Sequence, residues 1–146
     1  MRYVKGMWYV MDSIAVQEGP AEVERLFVNT SRQDALTSTR ENATYRARWE
    51  VEPGSAAVRD NRRLVGMLAG IDAAGVRPTG AKLQRSKALA AQAQAGNVKL
   101  VKGAWNEAWL IHMHHQPDWP HDDTHDASAG AFNETIGQRK ARSYQG

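Results

Sequence analysis

Short apolar segments alternate with polar, turn-forming segments along the chain. β-Branched and aromatic residues predict strands at residues 7–16, 45–51 and 98–101, with Val76 as a candidate for a further short strand. Apolar spacing and helix-forming composition predict helices at residues 21–30, 55–70, 83–95, 106–115 and from about 121 to 136. Strands that alternate with helices indicate an α/β fold in which helices flank a sheet.

Glycine and proline mark the ends of several of these segments. Pro20 suits the first turn of a helix, and Pro53-Gly54 ends the strand before it. Gly96 is a typical helix stop. Residues 31–44 are polar and predict turns between two elements. The pattern predicts one domain over residues 1–137 and a polar C-terminal tail over residues 138–146.

Composition narrows the class of protein. The chain has 146 residues, 42% hydrophobic and 24% charged, which is typical of a globular domain with its own core. The absence of cysteine excludes disulfides and thiolate metal sites. No apolar run is long enough to span a bilayer and no signal peptide is evident, so we expect no membrane partner.

Charge is unevenly distributed. Residues 1–103 hold 16 Lys and Arg against 10 Asp and Glu, whereas residues 104–126 hold five acids and no Lys or Arg. A basic body with one acidic segment suits a metal-dependent enzyme that acts on a polyanion. The same mild excess would also keep an ordinary domain soluble, and charge by itself favours that simpler interpretation.

Two acidic segments are candidates for chemistry. Glu52 follows a predicted strand, at the kind of sheet edge where α/β active sites form. Considered alone, it is more simply interpreted as an ordinary acidic residue of a loop. In residues 121–127, Asp122 and Asp126 are four residues apart, and Asp123 and Asp126 are three apart. If this segment is helical, each pair lies on one side of the helix. Acids in a first turn are also favoured by the helix dipole. Hard oxygen ligands of this kind suit Mg²⁺ or Mn²⁺.

The histidines and basic residues near these acids allow more than one interpretation. The histidine spacing matches no zinc signature, so zinc is disfavoured and solvated turns or positions beside a polyanion are expected for His112, His114, His115, His121 and His125. Four basic residues flank a Pro-Thr-Gly turn and could bind DNA phosphates or form a solvated helix face: Arg77, Lys82, Arg85 and Lys87.

Taken in order, six segments resemble the C-terminal domain of phage terminase large subunits. They are residues 52–56 (EPGSA), 75–82 (GVRPTGAK), 90–101 (AAQAQAGNVKLV), 105–107 (WNE), 121–127 (HDDTHDA) and 131–133 (AFN). Each segment is weak by itself, whereas their order and spacing are specific. The resemblance covers roughly residues 7–137.

The resemblance implies an RNase H-like mixed sheet flanked by helices and a metal-dependent endonuclease that cuts concatemeric viral DNA. It implies a catalytic set of Glu52, Asp122 or Asp123, and Asp126 as a nearby auxiliary, with two Mg²⁺ or Mn²⁺ ions held by Glu52, Asp122 and Asp123. The implied partners are double-stranded DNA, the terminase small subunit, the portal protein and a separate ATPase-bearing segment. The implied location is the cytoplasm of the bacterial host.

Two departures from the family keep alternatives open. The family's first catalytic aspartate belongs to a strand that should precede Met7, and no phosphate-binding G-x-x-x-x-G-K-[ST] motif of an ATPase occurs. The fold is therefore expected to lack its first strand. An active nuclease would need a substitute ligand, such as Glu50 or a group from a second chain. Otherwise the chain is an inactive prophage remnant or split-gene half that at most binds DNA or a partner. An unrelated interaction protein is the third alternative.

Overall fold

The computed structural model describes residues 1–77, 82–115 and 123–143, and over these residues the chain has a mixed α/β fold. Its helices and strands in chain order are β1 (Arg2–Val4), β2 (Met7–Val10), α1 (Pro20–Arg40), β3 (Arg46–Glu50), α2 (Ser55–Met67), β4 (Asp72–Val76), α3 (Lys82–Gln94), β5 (Val98–Leu100), α4 (Asn106–His114) and α5 (Asp123–Ser143). They fall into two compact units, a central unit of residues 16–78 and a split unit of residues 1–15 with 79–146.

The split unit has a three-stranded sheet in the order β1-β2-β5. β1 runs antiparallel to β2, and β2 runs parallel to β5. Its core joins this sheet to α3 and α5 through the buried residues Trp8, Leu89 and Phe132. The Trp8 and Phe132 rings lie 4.9 Å apart, and the indole Nε1 of Trp8 donates a hydrogen bond to Thr135 Oγ1 at 2.8 Å. The polar edge of the buried indole is thereby satisfied, which fixes α5 on the sheet.

The central unit is a βαβ unit preceded by a long helix. Strands β3 and β4 are parallel, and α2 connects them. Val28 of α1, Ala47 of β3 and Leu68 after α2 form its buried core. Successive side chains of a strand point to opposite faces, so Arg46 and Arg48 lie on the other face from Ala47. Both arginines pair with Asp72 of β4.

Helix α1 extends through the segment for which turns were predicted. Residues 31–40 are helical, so that part of the sequence prediction was wrong. The polar side chains are accommodated because the Thr37 and Thr39 hydroxyls donate to the carbonyls of Gln33 and Ala35, four residues earlier. Ser31 is fully buried against the core of the central unit.

Three other element bounds differ from the prediction. The strand predicted for residues 7–16 ends at Val10, and the following residues Met11, Ile14 and Val16 are exposed. Strand β1 precedes Met7, was not predicted, and contains no acidic residue. Helix α5 continues past residue 137 to Ser143, beyond the predicted start of the tail. The described strands form two separate small sheets, and an RNase H-like arrangement stays a prediction.

Candidate functional site

A cleft of about 220 Å³ lies where the parallel strands of the central unit end. β3 ends at Glu50 and β4 at Val76, and the Val51 amide donates to the Val76 carbonyl at 3.0 Å. This hydrogen bond extends the pairing of the strands one residue beyond the end of β3 and holds the chain after β3 next to the end of β4. The cleft is lined by Glu50, Val51, Glu52, Pro53 and Arg77. The carboxyl ends of parallel strands are the usual place for ligands in α/β proteins.

Two glycine residues shape the backbone and the packing next to this cleft. Gly54 adopts a φ of 131°, a conformation that other residues rarely adopt, and so allows the chain to turn from the cleft into α2. Gly75 of β4 lies directly against Asn61 of α2 and Val51, and a Cβ atom at this position would overlap both side chains. Close packing of α2 on β4 therefore depends on the absence of a side chain at residue 75.

The cleft brings together residues for which different roles were predicted. Glu52, the predicted catalytic carboxylate, and Arg77, a predicted phosphate-binding residue, both line it. Glu50, the substitute ligand considered from the sequence, lines it as well. Carboxylate oxygens are donors that a hard divalent cation prefers, and a guanidinium is suited to a phosphate. The donor types at the cleft therefore fit a metal ion beside a phosphodiester.

The acids at the start of α5 have unequal environments. Asp123 is the first residue of the helix and is exposed. The side chain of Asp126 is only 19% exposed, and its Oδ1 lies 3.7 Å from Arg85 Nη2 of α3. His125 Nδ1 lies 3.9 Å from the same oxygen. Asp126, predicted as an auxiliary carboxylate of the catalytic set, and Arg85, predicted to bind DNA phosphates, thus contact each other.

A chain of hydrogen bonds ties the first turns of α5 to α4. The Trp109 indole donates to Ser128 Oγ at 3.0 Å, and Ser128 Oγ donates to the Thr124 carbonyl at 2.7 Å. His112 Nδ1 lies 2.9 Å from Thr124 Oγ1. Thr124 and Ser128 are buried, so these bonds are shielded from water and fix the segment that carries Asp123.

The histidines do not share one environment. His125 is 8% exposed and His112 is half-buried, so neither lies in a solvated turn, and a position beside a polyanion stays a prediction for both. His114 and His115 are exposed, with rings 5.5 Å apart in an edge-to-face arrangement. Sequence spacing could not distinguish the two pairs, because burial of His112 and His125 depends on how α4 meets α5.

The remaining predicted site residues are divided between the two units, and some lie outside the described residues. Asp122 and His121 lie outside the described residues, and so does the side chain of Lys82 at the start of α3. Lys87 is exposed on α3. Glu52 and Arg77 belong to the central unit, whereas Asp123, Asp126 and Arg85 belong to the split unit. In the part of the chain that is described, no three His, Asp or Glu side chains cluster closely enough to hold a metal ion.

Comparisons of the chain with protein-family models, with curated proteins and with solved structures found no match. Over residues 1–77, 82–115 and 123–143, no helix combines the length and apolar character that crossing a membrane requires.

Proposed function

We propose that the chain is the nuclease portion of a phage terminase large subunit, with an RNase H-like fold, and that it cuts concatemeric viral DNA in a metal-dependent reaction. The order and spacing of six sequence segments support this proposal. The structural observation that carries it is the cleft at the ends of β3 and β4, which Glu52 and Arg77 line together. A carboxylate beside a guanidinium is suited to holding a cation next to a phosphodiester.

Each side chain has a distinct task in this proposal. Glu52 supplies oxygen ligands at the cleft, and Asp123 supplies them at the start of α5. Arg77 binds a non-bridging phosphate oxygen through charge-assisted hydrogen bonds. A bound Mg²⁺ or Mn²⁺ supplies activation of the attacking water and stabilisation of the leaving oxygen. The proposal assigns metal binding to Glu52 and Asp123 separately, so that each can be tested by its own variant.

The proposed function includes a substrate and several protein partners. The substrate is double-stranded DNA in the cytoplasm of a bacterial host. A packaging nuclease works with a terminase small subunit, a portal protein and an ATPase-bearing segment. These partners rest on the terminase resemblance, and the DNA cleavage can be tested without them.

Nicking of supercoiled plasmid with Mn²⁺ tests the catalytic proposal. The Glu52→Gln variant should lose at least ~100-fold in rate, since even groups that only support a metal ligand change activity by about 10- to 100-fold. Glu18→Gln is the matched control, because Glu18 is an exposed loop acid of the same unit. Equal nicking by the unmodified chain and Glu52→Gln would contradict the assignment.

A second measurement addresses the metal directly. Glu52→Gln and Asp123→Asn should each weaken Mn²⁺ binding while the far-ultraviolet circular dichroism stays unchanged, because both side chains are exposed. Unaltered Mn²⁺ affinity in both variants would rule out this ligand set.

A DNA-binding module without cleavage is the second candidate function. The observation that favours it is that Asp126, a predicted catalytic carboxylate, is paired with Arg85, whereas two other predicted DNA-binding residues, Arg77 and Lys87, stay exposed. A folded chain that binds duplex DNA and never nicks plasmid with Mn²⁺ or Mg²⁺ would support this candidate over the nuclease.

A further inference from the structure

Two of the three arginines of α2, Arg59 and Arg62, face away from the core of the central unit, and Arg63 lies between Arg59 and the core side. Leu64, with Leu68 just beyond the helix, packs in the core of the central unit. At about 100° per residue, Arg59 and Arg62 lie on the side of the helix opposite Leu64. Ser55 and Gly66 occupy the same outward side, since Ser55 precedes Arg59 by four residues and Gly66 follows Arg62 by four. We call Ser55, Arg59, Arg62 and Gly66 the outer face of α2; all four are exposed.

The other arginines near this helix are already engaged. Arg63 pairs with Glu24, and Arg32 donates to the carbonyl of Met67 at 2.8 Å. Arg46 and Arg48 both pair with Asp72. These contacts satisfy side chains that help to hold α1, α2 and the two strands together, so they do not provide a surface for a charged partner.

The two arginines of the outer face differ from these. Over the described residues, Arg59 and Arg62 form no hydrogen bond or ion pair. The first turn of α2 contains no acid, and Asp60, the one acid of the helix, lies about 100° around it from Arg59. Two uncompensated guanidinium groups therefore stand less than one turn apart on a surface whose other members are small.

From this arrangement we infer that the outer face of α2 binds the phosphate backbone of duplex DNA. Guanidinium groups match phosphate oxygens in charge and in geometry, and contacts of this kind position a protein without reading base sequence. Ser55 and Gly66 leave space for the backbone to approach. The choice of duplex DNA as the polyanion rests on the proposed function. The outer face begins three residues after Glu52, within the same βαβ unit.

Salt dependence of binding tests this inference. Fluorescence anisotropy with a labelled random-sequence duplex is measured in EDTA between about 50 and 200 mM salt, where each phosphate contact contributes a slope of about 0.9. The double variant Arg59→Gln/Arg62→Gln should bind more weakly, with a log–log slope shallower by about 1.8. The unmodified chain should then lose about 12-fold more affinity across this range than the variant loses.

The matched control removes the same charge from another helix of the same unit. Arg25 and Arg40 are exposed on α1 and lie fifteen positions apart, so they cannot form one compact contact. Arg25→Gln/Arg40→Gln should keep most of the slope of the unmodified chain. Far-ultraviolet circular dichroism of all three proteins should coincide, because none of the four residues is buried.

Three outcomes would overturn the inference. The first is an unchanged slope in Arg59→Gln/Arg62→Gln, and the second is an equal loss in the control. The third is binding of phosphatidylserine vesicles through these arginines without binding of the duplex, which would make the face a membrane contact. EDTA prevents metal-dependent cleavage, so DNA binding is scored separately from catalysis. A chain that binds through α2 and does not nick plasmid would refute the proposed nuclease and leave this inference intact.

Discussion

The pairing of Arg85 with Asp126 makes a prediction that separates two roles of one carboxylate. The sequence suggested that Asp126 assists a metal site, whereas the structure has its Oδ1 3.7 Å from Arg85 Nη2. If the ion pair is the role of Asp126, Asp126→Asn should lower stability and leave Mn²⁺ affinity unchanged. Asp123→Asn, by contrast, should lower Mn²⁺ affinity and leave stability nearly unchanged, because Asp123 is exposed.

The size of the stability effect follows from the geometry. At 3.7 Å the attraction between the two charges is about 4.5 kcal/mol at an effective dielectric constant of about 20. Desolvation and side-chain entropy offset most of it, since the Arg85 and Asp126 side chains are 22% and 19% exposed. Exposed pairs contribute about 0.2–1 kcal/mol, so a coupling energy of about 1 kcal/mol is expected for this more buried pair.

A double-mutant cycle measures that coupling. The four proteins are the unmodified chain, Arg85→Met, Asp126→Asn and the double variant, each unfolded in urea and followed by both circular dichroism and tryptophan fluorescence. Coincident transitions are needed for a single free energy of unfolding, since the chain has two compact units. A coupling energy below about 0.3 kcal/mol is within the additivity expected of independent sites. Combined with a loss of Mn²⁺ affinity in Asp126→Asn, it would refute the ion-pair role.

Two further predictions concern the central unit. Gly75→Ala should lower the free energy of unfolding by about 1–3 kcal/mol, because the added Cβ would overlap Asn61 and Val51. Gly66 has open space around it, so Gly66→Ala should be neutral or stabilising by up to about 1 kcal/mol in the same urea assay. Burial, aided by the charge of Asp34 and opposed by a hydrogen bond with Ser31, raises the pKa of Tyr45 above its ordinary 10.0. The Tyr45 hydroxyl therefore loses its proton at a lower pH in the unfolded chain than in the folded one, so its contribution to stability is complete below about pH 10 and is lost as pH rises through the folded pKa. Tyr45→Phe should flatten the resulting alkaline fall of the urea midpoint. An identical fall in the unmodified chain and in Tyr45→Phe would contradict this prediction.

Local sequence signals predicted β3 and α2 of the central unit well, whereas of β4 they predicted only Val76. The alternation of Tyr45, Ala47, Trp49 and Val51 gave strand β3, and Pro53-Gly54 gave its end, because one face of the strand is buried and the turn needs an unusual backbone conformation. The same signals failed for the second half of α1. A polar helix whose hydroxyls bond back to its own carbonyls has no strong apolar period, so its sequence is indistinguishable from a polar loop.

The sequence predicted which residue types form the candidate site better than it predicted which side chains lie together. The position of Glu52 after a strand and before a Pro-Gly turn indicated a sheet-edge carboxylate, and β3 does end two residues earlier. Spacing along the chain could not reveal that Arg77 would line the same cleft, because that depends on the parallel register of β3 and β4. It also could not reveal the pairing of Arg85 with Asp126, which depends on how α3 packs on α5.

The environments of the acids argue that a carboxylate's role here is set by what lies next to it. Glu52 and Asp126 both carry a carboxylate, yet Glu52 is exposed in a cleft with Arg77, whereas Asp126 is largely buried against Arg85. A buried carboxylate that already has a cation gains little from a metal ion and loses its existing pair. An exposed carboxylate has no such cost. Glu52 and Asp123 are therefore better placed to bind a metal ion than Asp126, and the Mn²⁺ titrations of their variants test this order directly.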